Sequence, residues 1–380
     1  MNILVANCKV RCSPKLNILF EILIILCFIT NLNAQTTTQW GADGFQKIEN
    51  GSGGFNADLD SGDRFSRDHD QAGDINGDGV IDLVVGARSD DDGATDAGAV
   101  YILFMNNDGT VQSNQKISML EGDFNDTLTE NSFFGYGVAG IGDYDGDNIP
   151  DIAVTANNRI YIIHLHTSGL VKSFIKNDNI NSQGLTAIGD LNNDGRIDLV
   201  ACQPSSNQGG TKRGAIQILF FDDTSHLTNT VTISSTQGGF GNGLQNNDNF
   251  GGREVAMLGD INNDGLPDVY MVGNSFGGRL FLNKGNFKFE QITNTSNSHV
   301  TAGLTHGVTM ADVNNDGLLD IYVCNAGYVE GDDQENELFI NNQDGSFTEK
   351  AAPLVVGDYL VFDPIVVDEI EPRAGFIIGM

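Results

Sequence analysis

Positive charge is scarce in this 380-residue chain: 20 Lys and Arg stand against 51 Asp and Glu, a formal net charge of −31. So acidic a surface repels nucleic acid and anionic membranes, and neither is expected as a partner. Cysteine is scarce too. Three of the five fall in the first 34 residues, leaving Cys202 and Cys324. Each stands four residues after an aspartate (Asp198, Asp320) in equivalent places with another repeat between them. A bridge needs Cα atoms within about 7 Å, so two separate buried thiols are expected. Long apolar runs are also missing. The stretch Ile22 to Ile29, preceded by Glu21, falls short of the roughly 20 residues that cross a bilayer. With the basic residues Lys9, Arg11 and Lys15 before it and the small Ala34 after it, this stretch reads as a secretory signal spanning 1–34, cleaved before Gln35, with no membrane insertion of the chain after cleavage. Several enzyme signatures are absent as well: there is no H-E-x-x-H, no G-x-x-x-x-G-K phosphate loop, and neither later cysteine has a histidine partner in its neighbourhood. The chain is expected not to be an enzyme.

What is present is one nonapeptide written five times: DINGDGVID (74–82), DYDGDNIPD (143–151), DLNNDGRID (190–198), DINNDGLPD (260–268) and DVNNDGLLD (312–320). Each copy offers side-chain oxygens at positions 1, 3, 5 and 9 and a main-chain carbonyl at position 7, the donor pattern of a tight loop around a hard cation. The candidate ligands are Asp74, Asn76, Asp78, Val80 and Asp82; Asp143, Asp145, Asp147, Ile149 and Asp151; Asp190, Asn192, Asp194, Arg196 and Asp198; Asp260, Asn262, Asp264, Leu266 and Asp268; and Asp312, Asn314, Asp316, Leu318 and Asp320. Position 6 is Gly or, once, Asn148, the residue types that most readily take the left-handed backbone such a loop needs. With no thiolate or imidazole in any loop, zinc and copper are disfavoured, and calcium suits a flexible all-oxygen shell better than magnesium. About five calcium ions are expected. Without residues 1–34 the charge is −33, sixteen acids occupy ligand positions, and five calcium ions bring the total to −23, so metal should relieve self-repulsion. Such loops fill their shell with protein oxygens, so a structural role is expected, tying the strand before each loop to the strand after it.

The first aspartates are spaced 69, 47, 70 and 52 residues apart, a period that signals a repeat architecture. Within each period a Gly-rich approach makes one strand, and an apolar run such as IDLVVGA or LDIYVCN makes the next. A third strand (GAVYILF, NELFIN) and a turn into a weaker fourth come after it. Four short antiparallel strands in about 60 residues describe a blade. The predicted fold is therefore an all-β β-propeller at 55–380, seven-bladed when complete and with five to six blades here, after an N-terminal strand or linker at 35–54 that could complete the last blade. AGFIIGM at the C-terminus aligns with AGLTHGV before the fifth loop, so a sixth blade is expected to be cut inside its first strand. His164 and His166, two apart in YIIHLH, are expected to pack against a neighbouring blade.

The approach in NFGGREVAMLGD, the D-x-N-x-D-G-x-x-D loop and the GA-rich strand after it resemble the FG-GAP repeats of the integrin alpha propeller and the related VCBS repeats. The resemblance covers about 55–380; the third approach, NSQGLTAIGD, lacks the Phe-Gly pair. It implies a secreted or cell-surface, adhesion-type module with an extracellular protein or glycan ligand, held on the rim opposite the metal loops. Arg88, Lys212, Arg213, Phe240 and Tyr328 are the candidate ligand contacts there, cations and aromatics being natural anchors on an acidic surface. The alternative is the propeller of a larger extracellular enzyme, such as a polysaccharide lyase or phospholipase, whose catalytic part lies elsewhere.

Overall fold

The computed structural model describes residues 46–351 except 58, 193, 239–243, 253–254, 263, 265, 267, 272–278, 286–287, 293–295, 297, 299–304, 312, 315 and 326–336. The expected signal, Trp40 and the start of a sixth blade lie outside the described residues, as do Phe240, Tyr328 and Asp312.

The strands form five four-stranded antiparallel sheets, each ordered as the chain runs and set as the blades of a propeller. The first blade holds β1 (Phe65–Gly73), β2 (Asp82–Ala87), β3 (Ala99–Met105) and β4 (Val111–Ile117). The second holds β5 (Val138–Gly142), β6 (Asp151–Ala156), β7 (Arg159–Leu165) and β8 (Val171–Asp178). In the third are β9 (Leu185–Ala187), β10 (Leu199–Gln203), β11 (Ala215–Phe221) and β12 (Leu227–Ser234). The fourth has β13 (Val255–Gly259), β14 (Asp268–Met271), β15 (Arg279–Asn283) and β16 (Phe289–Gln291), and the fifth β17 (Thr305–Ala311), β18 (Asp320–Asn325), β19 (Glu337–Asn341) and β20 (Phe347–Ala351).

Every residue of β2 and β3 is buried. A mid-blade strand has both faces covered, which is why DLVVGA and AVYILFM read as unbroken apolar runs instead of alternating ones. Successive side chains divide between two boundaries. Val84, Val100 and Ile102 join Val138, Val154 and Tyr161 of the second blade, whereas Leu83, Val85, Tyr101 and Leu103 face the other way. The pattern continues around the blades: Ala139, Ile160 and Ile162 meet Leu199, Ala201 and Leu219, Val200, Ile216 and Ile218 meet Val269 and Phe281, and Tyr270 and Leu280 meet Ile321, Val323 and Phe339. The hydrophobic core is thus the set of boundaries between blades. At about 1.5–3 kcal/mol for each large side chain buried, those boundaries rather than the single sheets stabilise the fold.

The open face of the first blade is covered by the segment before it. Ile48 and Phe55 join its cluster, Phe55 stacks on Phe65 with ring centroids 4.8 Å apart, and Val111 N–H donates to Gly53 C=O at 2.8 Å. The described part of the N-terminal segment therefore packs on the first blade; residues 35–45, expected to complete the last, lie outside the described residues.

Among the described residues, two boundaries carry an extra clasp. Between the first and second blades, the N–H groups of Asn131, Phe133 and Phe134 donate to the carbonyls of Thr95, Asp96 and Ala97 at 2.9, 3.0 and 2.9 Å. Gly98 and Phe134 form a parallel bridge. Between the third and fourth, Asn247, Asn249 and Phe250 donate to Thr211, Lys212 and Arg213 at 2.9, 3.0 and 2.9 Å, with Gly214 bridging Phe250. The Phe-Gly of one repeat thus grips the Gly-Ala of the repeat before it. The second blade has no long loop to grip, because β6 and β7 are joined across Asn157 and Asn158 alone. That accounts for the missing Phe-Gly in the third approach and for the short spacing after Asp143.

Candidate functional site

Each nonapeptide forms the turn between the first and second strands of its blade. In the first loop Asp74 Oδ1 accepts from the N–H groups of Gly77 and Asp78 at 2.8 and 3.0 Å, and Oδ2 from that of Gly79 at 2.9 Å. Asn76 Oδ1 accepts from Asp78 N–H at 2.8 Å, and Asp78 Oδ1 from Val80 N–H at 2.9 Å. The second loop repeats the first-aspartate bonds through Asp143, Gly146, Asp147 and Asn148. The position-5 carboxylate accepts the position-7 N–H in all five loops, at Ile149, Arg196, Leu266 and Leu318 as at Val80. These bonds wind the loop into a tight turn, and they need nothing outside nine residues. Asn148 takes φ +66°, as its place in the motif requires.

The ninth aspartate has a second task that the motif did not reveal. Asp82, Asp151, Asp198, Asp268 and Asp320 are at most 1% exposed. Oδ2 of each accepts the N–H of loop position 2, from Ile75, Tyr144, Leu191, Ile261 or Val313, at 2.8–3.0 Å. In four blades Oδ1 accepts an N–H from the end of the third strand: Met105, Leu165, Asn283 or Asn341, at 2.8–3.0 Å. Asp198 Oδ1 is buried with no such partner. Burial pushes Asp82 and Asp268 up to about 6 and Asp151 and Asp198 up to about 7, against the pull of the backbone bonds where they are made.

The donor set of the second loop suits a divalent cation. In the second loop one oxygen from each of Asp143, Asp145 and Asp151 lies within 4.8 Å of the others, the span of a shell with oxygens about 2.3–2.6 Å from one centre. Position 3 separates this loop from the rest. Where it is Asn, its amide Nδ2 donates to the position-5 carboxylate at 2.8–3.0 Å, as at Asn76, Asn192, Asn262 and Asn314. Where it is Asp145, Lys172 from β8 supplies the positive group, 2.7 Å from Asp145 and 2.6 Å from Asp147. Its bonds hold Asp147 below the usual carboxylate range. No local signal in the sequence points to Lys172.

The second and third loops also hold each other. Tyr144 Oη donates to Ile197 C=O at 3.0 Å, Arg196 Nη1 donates to Tyr144 C=O at 3.1 Å, and the guanidinium lies 5.4 Å from the Tyr144 ring centroid. A cleft of about 420 Å³ between them is lined by Asp143, Asp145, Asp194, Arg196 and Asp223 among others. Tyr144 was legible as an exception, since position 2 is aliphatic in the other four loops.

The candidate ligand contacts fare unequally. Lys212 is exposed and Arg213 half-buried, with its Nε donating to Asn246 Oδ1 at 3.2 Å. Both belong to the loop gripped by Phe250. Arg88 is not the solvated anchor expected: it is 8% exposed, with its guanidinium carbon over the Tyr136 ring, 4.5 Å from the centroid. His164 packs across a blade boundary as expected, its Nε2 3.1 Å from Ser225 Oγ, and burial lowers its pKa. His166 is exposed in the following turn. Gly273 to Gly277 spells G-x-S-x-G, but it joins β14 to β15 where a nucleophile elbow needs strand then helix, and it lies outside the described residues. No helix among the described residues is long and apolar enough to cross a membrane.

Fold and loops together define a repeat propeller with an acidic, cation-suited hairpin in each blade. Residues 143–201 and 260–323 match the FG-GAP-like repeat family, and 71–103 match the FG-GAP repeat. The chain is a β-propeller that carries FG-GAP repeats over these residues. Integrin alpha-3 of Cricetulus griseus is 32% identical over 123 residues, 30% of this chain and 11% of that protein, and integrin alpha-3 of Mus musculus matches to the same extent. The chain thus spans about a tenth of the length of these relatives. Among solved structures, an Agrocybe aegerita lectin that recognises non-reducing terminal N-acetylglucosamine aligns over 73% of this chain and 64% of its own, at 16% identity and a TM-score of 0.38. A protein of unknown function from Bacteroides caccae aligns over 76% and 82%, at 10% identity and 0.39. Scores so low bear on neither fold nor ligand.

Proposed function

We propose that this chain is a secreted, calcium-stabilised binding module that takes an extracellular protein or glycan ligand, as in adhesion at a cell surface, with calcium in a structural role. The observation that carries the reading is the recurrence of one loop geometry, the position-3 and position-5 oxygens accepting the same N–H groups, in successive blades. Positions 1, 3, 5, 7 and 9 would hold the ions. Bound calcium would supply positive charge that favours the ionised form of the buried ninth aspartates and offsets their mutual repulsion. The kinship with integrin alpha-3 supports an extracellular setting, and the rim opposite the loops, with Lys212, Arg213, Phe240 and Tyr328, is the proposed ligand face. Extracellular calcium modules work at roughly 0.1–1 mM. At one hundred times its dissociation constant, each site adds about 2.7 kcal/mol.

Calorimetric titration of the purified chain should give uptake of about five ions, and scanning calorimetry a large rise in Tm with calcium. No stoichiometric uptake, or a melt unchanged by exhaustive chelation, refutes the proposal.

A further inference from the structure

We infer that Arg64, Arg67 and Arg88, at the boundary of the first two blades on the rim opposite the metal loops, form a binding site for a single carboxylate carried by an otherwise neutral or basic protein segment. The inference rests on the binding-module reading and names the chemistry of its ligand.

Arg88 is 8% exposed, with its guanidinium 4.5 Å from the Tyr136 ring centroid and 5.3 Å from that of Phe133. Arg67 lies 5.1 Å from the same Tyr136 ring and donates to its hydroxyl at 3.3 Å. Nε of Arg67 and Nε of Arg88 are both enclosed without a hydrogen-bond partner. Among the described residues neither guanidinium makes an ion pair with a carboxylate, although acids outnumber cations 51 to 20 in the chain. Arg64, exposed beside them, adds like charge to Arg88, as does Arg67.

Buried charges in proteins are paired, because desolvation is costly and a neighbouring like charge raises the cost. Stacking on aromatic rings offsets only part of it. Here three cations gather, and although Asp96 acts on Arg88 from farther off, no carboxylate among the described residues pairs with them, in a molecule that has carboxylates in excess. The fold does not require the cluster, as the third blade shows. Asp190 follows Asp74 by 116 positions, and the same offset turns Arg64, Arg67, Arg88, Phe133 and Tyr136 into Ile180, Gln183, Pro204, Asn249 and Gly252. The clasp between the third and fourth blades forms through Phe250 and Gly214 without any of the five.

A guanidinium presents a planar fork of donors that matches a carboxylate. The acidic surface around the cluster repels polyanions and attracts cationic surroundings. A lone acid in a neutral or basic setting therefore fits both the local and the general field. In its basic form that combination is protein chemistry, since acidic saccharides seldom carry positive groups.

The test uses the full chain saturated with calcium and a short synthetic peptide holding one glutamate between lysines. Binding is followed by NMR on the Nε–H signals of Arg67 and Arg88, identified with R67K and R88K. The expected result is a saturable shift of both signals with this peptide and none with its glutamine counterpart. R67Q and R88Q should each weaken binding about tenfold or more, as charge-assisted hydrogen bonds imply, while K350Q, exposed on β20 of the fifth blade, binds as wild type. R88K, which keeps charge in the cluster, guards against loss of fold. Equal response to the glutamine peptide, unchanged binding in R67Q and R88Q, or tighter binding of tri-galacturonate than of the glutamate peptide overturns the inference. The calcium-dependent melt of the same samples separates the two readings. If stabilisation by calcium persists and the guanidinium signals stay silent, only this inference fails; if stabilisation is absent, the binding-module reading fails as well.

Discussion

Replacing Gly98 by alanine probes the clasp between blades, and Gly51 provides its control. Both glycines have left-handed backbones, φ +89° and +79°. An alanine in that region costs about 1–2 kcal/mol at either place. The surroundings differ. A Cβ at Gly51 would have nothing within 4 Å, whereas at Gly98 it would overlap the main-chain oxygen and nitrogen of Phe134. Those atoms cannot step aside cheaply, since Phe134 N–H donates to Ala97 C=O at 2.9 Å and Gly135 N–H to Thr155 C=O at 3.0 Å. Forcing a methyl into such a contact costs about 1–3 kcal/mol more. G98A should therefore lose about 2–5 kcal/mol and G51A about 1–2, measured by urea unfolding of the calcium-saturated chain. G214A, whose Cβ would meet Phe250 in the same way, should behave like G98A. If G98A and G51A are equally stable within about 0.5 kcal/mol, the Phe-Gly and Gly-Ala pairs do not lock neighbouring blades and the explanation of the spacing falls with them.

Two further outcomes are expected from the loops and the inner strand. D82A leaves the N–H groups of Ile75 and Met105 buried and unpaired, about 1–3 kcal/mol each. It should therefore melt well below wild type in calcium and in chelator alike, while D78A should differ from wild type chiefly in calcium; parallel behaviour of the two would show that position 9 has no separate structural role. On β1, burial raises Asp70 from 3.8 to about 6, opposed by the Gly140 and Gln71 N–H bonds. Its proton is held more tightly in the folded chain than in the unfolded one, so this residue's contribution falls as pH rises from about 4 through about 6, by roughly 3 kcal/mol in all. D70N removes that dependence, and its stability relative to wild type should increase across this range; a constant difference would sink the assignment.

How much of the fold and of the metal loops is legible in the amino-acid sequence depends on how far apart the interacting residues lie. The five hairpin loops can be read because Asp74, Asn76 and Asp78 bond only to main chain inside the same nonapeptide. Strand order can be read because each blade folds from consecutive residues, and the unbroken apolar runs of β2 and β3 announce strands covered on both faces. The alternating spacing is visible as numbers without a cause. For the short step after Asp143 the cause is the tight β6–β7 turn, which offers no long loop of the kind that Phe134 and Phe250 grip in the blades before them.

Tertiary structure alone decided which side chains leave solvent and whom they meet. Asp82 reaches Met105 on the third strand, Lys172 comes from β8 to balance Asp145, and Arg88 lies buried beneath rings of the next blade although its neighbours are loop residues. Bonds between near neighbours are encoded in short strings and recur wherever the string does. Contacts across a blade boundary depend on the angle and distance between whole sheets, set by the sum of many buried side chains, and no single stretch of sequence carries that sum.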